Sequence, residues 1–209
     1  MTPRRMLLIA TGVLAGLALA FALVLFPPGG ATEPEPGEEF LLPAPLPAPD
    51  FELVAHTGEA VRLHELGENR VLAIFFGYSN CPDVCPLTMA NLGRARADLG
   101  ENAERVLVVL ITVDPARDSV AQLAEYVQRF PTGIVALTGP EETLAAAAKA
   151  YLAYVERAPD SGHEHGTGGY LVDHSGRTLL VRGDRIVMTF PPGTPAPDMA
   201  AGFALALRR

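Results

Sequence analysis

Two uninterrupted apolar runs, Val71-Leu72-Ala73-Ile74-Phe75-Phe76 and Val106-Leu107-Val108-Val109-Leu110-Ile111-Thr112-Val113, constrain the fold of this chain more than any other feature. Neither alternates with polar residues, so neither suits a sheet with one wet face. Runs of this length, rich in β-branched residues, predict central strands buried on both faces, with helices to cover them. Helical patterns occupy the intervals. One opens at Pro86 and reaches about Leu99, where Gly100 stops it. A second follows Asp118-Ser119, repeats apolar residues at Leu123, Tyr126, Val127 and Phe130, and ends before Pro131. A third starts at Glu141-Glu142 and runs through residues 145–151, its acids suited to the helix dipole. Further strands are expected at residues 51–54, 60–63, 134–137, 169–172, 178–182 and 186–190. The last two form a hairpin across Gly183-Asp184. A final helix covers about 198–207. Together these elements predict a three-layer α/β domain with a mixed central sheet.

The chemistry concentrates just after the first run. The only two cysteines stand together in Cys81-Pro82-Asp83-Val84-Cys85-Pro86, between the strand pattern and its helix. Thiols at a helix N-terminus are acidified. Two of them four positions apart can close on one soft metal ion or on each other as a disulfide. Buried structural cysteines behave as small hydrophobes and would be expected scattered rather than paired in a turn.

The N-terminal part sets the expected compartment. Arg4 and Arg5 precede residues 6–26, a stretch of 21 residues with no charge, long enough to cross a bilayer as one helix. A cleaved signal peptide is the competing reading, with Ala18-Leu19-Ala20 as its site. The apolar run continues past that point, which favours an uncleaved anchor. The basic tail predicts that residues 1–5 stay cytoplasmic and the globular part lies outside, on the periplasmic face of the cytoplasmic membrane. Residues 27–50 hold eight prolines and four glutamates and read as an extended spacer. Residues 51–209 then form one domain. A formal charge of −8 and a pI near 5.1 argue against nucleic acid as a partner.

A cysteine pair at this point of an α/β sheet resembles the thioredoxin-like arrangement, with three residues rather than two between the thiols. The block from Phe75 through Pro86, Phe-Phe-Gly-Tyr-Ser-Asn-Cys-Pro-Asp-Val-Cys-Pro, resembles the signature of the Sco/SenC family of membrane-tethered copper proteins. Thr112-Val113-Asp114-Pro115-Ala116-Arg117-Asp118 and Tyr170-Leu171-Val172-Asp173-His174-Ser175 resemble the second and third blocks of that family, in the same order. Ser79-Asn80 departs from its usual Thr-His, and the loop Ser161-Gly162-His163-Glu164-His165-Gly166 carries two further histidines, read as solvated.

The resemblance implies a thioredoxin-like domain behind one transmembrane helix, with Cys81, Cys85 and His174 as ligands of Cu(I) or Cu(II). Soft Cu(I) suits thiolate and Cu(II) suits imidazole, so a Cys₂His set serves both. Of the other histidines, His56 and His64 read as solvated. Asp83 reads as an exposed turn-former, and Asp114, Arg117 and Asp118 as structural supports of the cysteine loop. The implied function is delivery of copper to the dinuclear centre in subunit II of cytochrome c oxidase. An unidentified copper donor or thiol reductant would act upstream. The alternative reading is a thiol-disulfide oxidoreductase that uses Cys81 and Cys85 as a redox pair and keeps the oxidase cysteines reduced.

Overall fold

The structure, a computed structural model, describes residues 13–22, 35–131, 133–157 and 172–209. For Glu156, Arg157, Asp173 and His174 the backbone alone is described. The chain divides into two compact units, Met1–Glu35 and Pro36–Arg209. In the first, residues 13–22 form a helix, α1. The rest of the apolar stretch at 6–26 lies outside the described residues. Among those described, no helix is long and apolar enough to cross a membrane.

In the second unit an eight-stranded mixed sheet is built around the two apolar runs. They form β4 (Val71–Gly77) and β5 (Val106–Thr112), every residue of which is buried. β4 and β5 pair in parallel, and β6 (Ile134–Thr138) extends the parallel set on the far side of β5. On the other side of β4 lies the antiparallel hairpin of β9 (Thr178–Arg182) and β10 (Arg185–Phe190), turned by Gly183. β1 (Leu41–Pro47) pairs with β10 at one edge, and the hairpin of β2 (Glu52–Ala55) and β3 (Ala60–Arg62) extends the sheet beyond β6 at the other.

Alternation along the two central strands explains the three layers. Val71, Ala73, Phe75, Val106, Val108 and Leu110 face a core shared with α3 (Val84–Ala97), α4 (Val120–Val127) and α6 (Ala196–Arg208). Leu72, Ile74, Phe76, Leu107, Val109 and Ile111 face a second core closed by α5 (Glu141–Ala150), Tyr151 and the short helix α2 (Leu63–Leu66). Strands buried on both sides need no polar alternation, which is why the runs read as they do.

Three expectations change. Residues 36–50 do not form a free spacer. Leu41–Pro47 is an edge strand, Phe40 packs edge-to-face on Phe190 at 4.8 Å, and the Ala48 N–H donates to Asp184 O at 2.8 Å. Apolar side chains between the prolines supply contacts that outweigh the preference of a proline-rich segment for solvated extension. The His56 and His64 rings are engaged rather than solvated. His56 Nδ1 accepts the Ala136 N–H at 3.2 Å, and His64 Nε2 lies 2.9 Å from Ala48 O. Finally, α3 begins at Val84, so Cys85 lies within its first turn rather than ahead of it.

A two-stranded ribbon completes the domain. β7 (Val155–Arg157) pairs antiparallel with β8 (Val172–His174), aligning Val155 with His174. Gly169, Tyr170 and Leu171, expected in a strand, lie outside the described residues, as do His163 and His165.

Candidate metal centre

β4 delivers its C-terminal end to a loop that turns into α3, and this loop holds the thiols. Cys81 is half-buried and Cys85 fully buried, and they are not joined in a disulfide. The Cys85 N–H, at the start of α3, donates to Cys81 Sγ at 3.4 Å. A helix N-terminal donor aimed at that sulfur favours negative charge or metal ligation there. The bond between the two side chains, then burial, pushes the Cys85 thiol well above its usual range. Cys81 is therefore the sulfur open to attack or exchange, with Cys85 beneath it.

Packing holds the lower sulfur tightly. A Cβ at Gly77 would lie 3.1 Å from Cys85 Sγ and 2.6 Å from Phe75 Cε1. Only glycine leaves room there for the thiol to pass over the strand end.

The second sequence block supports the loop from below. Asp118 is fully buried, accepting the Ser79 N–H at 3.1 Å, the Ser79 hydroxyl at 2.5 Å and the Thr112 hydroxyl at 2.6 Å. Burial raises its carboxyl above the usual range. The helix cap itself is Ser119, whose hydroxyl accepts the Gln122 N–H. Asp114, also buried, bonds the Arg117 guanidinium, which in turn sits 5.5 Å from the centroid of the Tyr78 ring. Sequence reasoning grouped these residues as structural. It missed that Asp118 grips Ser79, two residues before Cys81, and it gave Tyr78 no role. Asp83 is exposed at the N-cap of α3, and its side chain makes no capping bond.

β8 brings the third block to the same region. Val172 N–H donates to the Tyr78 hydroxyl at 3.3 Å. After His174, the Ser175 N–H bonds Tyr154 O at 3.1 Å, and the chain turns at Gly176. A side chain there would stand 3.7 Å from Val84 Cγ1, on the first residue of α3. The backbone on both sides of His174 thus abuts the loop and helix that carry the thiols. Among the described residues no group of three His, Cys, Asp or Glu side chains is arranged to hold a metal, and the His174 side chain is outside that set. Two neighbouring thiols suit a soft metal ion, and the strand that carries His174 meets the same loop through its backbone.

A family model described as SCO1/SenC matches residues 43–207. Protein SenC of Rhodobacter capsulatus is 36% identical over 152 residues, covering 72% of this chain and 66% of that protein. Other curated relatives are likewise matched over about half to two-thirds of their length. Among solved structures, the domain is similar to apo Sco1 of Thermus thermophilus, with a TM-score of 0.69 at 31% identity, covering 86% of this chain and 100% of that one. It is equally similar to copper-bound ScoI of Arabidopsis thaliana, with a TM-score of 0.69 at 27% identity, covering 78% and 99%. The thioredoxin-like α/β fold with a mixed sheet is that of these Sco structures.

Proposed function

Because the chain belongs to the SCO1/SenC family, we propose that it carries copper for the assembly of cytochrome c oxidase, as a metallochaperone whose cargo is held by Cys81, Cys85 and His174. The observation that carries this reading is the half-open thiol pair at the start of α3, with the backbone flanking His174 packed against the same loop. Two thiolates suit Cu(I), and the imidazole adds the donor that Cu(II) favours. Partial exposure of Cys81 permits release by ligand exchange, an incoming thiolate displacing first the outer sulfur and then Cys85. Val84, Leu87 and Tyr154, all exposed beside this region, offer a recipient an apolar rim. The recipient is subunit II of the oxidase, with its dinuclear copper centre, and a separate donor or thiol reductant readies the chaperone.

The uncharged stretch at residues 6–26 is a membrane anchor in this reading, with the globular unit on the periplasmic face. The chain should bind one copper ion, titrated as Cu(I) against a competing chelator. Cys81→Ser and Cys85→Ser should abolish binding, while His163→Ala with His165→Ala should leave it unchanged. Loss of binding in the loop variant, with His174→Ala unaffected, would move the third ligand to the loop and refute the assignment. In the host, His174→Ala should abolish oxidase assembly while leaving reduction of a model disulfide intact. Normal assembly in that strain, with failure in Cys81→Ser, would instead identify a thiol reductase.

A further inference from the structure

Tyr78 bonds both the cysteine loop and the strand that carries His174. Its hydroxyl accepts the Val172 N–H at 3.3 Å, two residues before His174, and its backbone carbonyl accepts the Cys81 N–H at 3.3 Å. The ribbon of β7 and β8 needs such a hold, because it shares no ladder with the eight-stranded sheet. It also leaves α5 through Leu152, an exposed residue in the left-handed region with φ 56°. A two-stranded ribbon is marginal by itself, so its position depends on bonds from outside. The Tyr78 ring is a fixed point from which to make one. It is 2% exposed and lies under the Arg117 guanidinium.

We infer that Tyr78 is a positioning residue for copper. Its hydroxyl grips the strand that carries His174 while its carbonyl holds the Cys81 N–H, and this fixes that strand beside the cysteine loop. The inference rests on the ligand set proposed above. Its consequence is selective. Cu(I) is satisfied by the thiolates and is insensitive to the ribbon, whereas Cu(II) depends on the imidazole and so on the Tyr78 hydroxyl. Groups that orient a metal ligand through one hydrogen bond are typically worth about 10–100-fold in affinity.

Tyr78→Phe keeps the buried ring and removes only the hydroxyl. In the full chain it should bind Cu(I) within about twofold of wild type, bind Cu(II) about 10–100-fold more weakly, and shift the Cu(II)–thiolate absorption toward that of His174→Ala. The double variant should bind Cu(II) no more weakly than His174→Ala alone, because two changes acting through one ligand are not additive. Wild-type Cu(II) affinity and absorption in Tyr78→Phe, with both lost in His174→Ala, would overturn the role of Tyr78 and leave the ligand set standing. Additive losses in the double variant would also overturn it, since the hydroxyl would then act on packing at large. An unchanged Cu(II) complex in His174→Ala would overturn the ligand set, and this inference with it.

Discussion

Replacing Asp118 with alanine tests how the cysteine loop is held. The carboxylate is fully buried and serves three donors, the Ser79 N–H, the Ser79 hydroxyl and the Thr112 hydroxyl, at 3.1, 2.5 and 2.6 Å. Each donor left without an acceptor in the interior costs about 1–3 kcal/mol. Part of this is offset by water entering the space vacated and by relief of the buried charge. A net loss of about 3–5 kcal/mol follows, or roughly 6–20 °C in Tm for a domain of this size. Asp118→Asn keeps an acceptor and a donor in place and should lose only about 1–2 kcal/mol at neutral pH. The two variants also separate charge from shape. Burial holds the Asp118 carboxyl above its usual range, so its contribution to stability is greatest at acid pH and declines as pH rises through the raised value. The advantage of wild type over Asp118→Asn should therefore shrink between acid and neutral pH. Urea unfolding of the three proteins at several pH values, followed by circular dichroism, measures both effects. An alanine variant within about 1 kcal/mol of wild type would refute the claim that Asp118 anchors the loop.

Two more outcomes follow from the geometry. Iodoacetamide should label Cys81 at least about tenfold faster than Cys85, since one sulfur is half-exposed and the other is buried with its thiol pushed up. Equal rates by mass spectrometry would mean that Cys85 is not sealed. A chain beginning at Phe51 should melt well below one beginning at Pro36. It lacks β1, the Phe40–Phe190 contact and Pro49 O, which accepts the Tyr151 hydroxyl at 2.8 Å, and identical melting would show that the segment merely lies on the domain.

The central strands were legible because burial on both faces leaves an unmistakable composition, as in Val106–Thr112. The hairpin of β9 and β10 was legible because Gly183 supplies the turn its strands require. The nearness of the two cysteines was legible because four positions across a strand-to-helix turn keep them together, the Cys85 N–H lying 3.4 Å from Cys81 Sγ. What stayed hidden depends on partners distant in sequence. β1 reads as a spacer until the edge of β10 and the Phe190 ring are there to receive it. Tyr78 looks like any aromatic at a strand end, and its hydroxyl has a meaning only once Val172, 94 positions away, lies against it. Asp118 beside Ser119 reads as a helix cap, and local pattern alone gives no sign that one residue turns inward and the other caps.

The prolines of β1 also affect how copies of the protein meet. Pro43, Pro45 and Pro47 carry no N–H, so three of the seven residues of β1 have no donor to offer a neighbouring strand. β1 is an edge strand of the sheet, the position where proline is tolerated because one side of the strand has no ladder to complete. A second chain laid along β1 would meet a strand short of donors, a poor template for a continued ladder. Strand-by-strand growth into aggregates is therefore disfavoured at this edge by composition, even where many copies are crowded together.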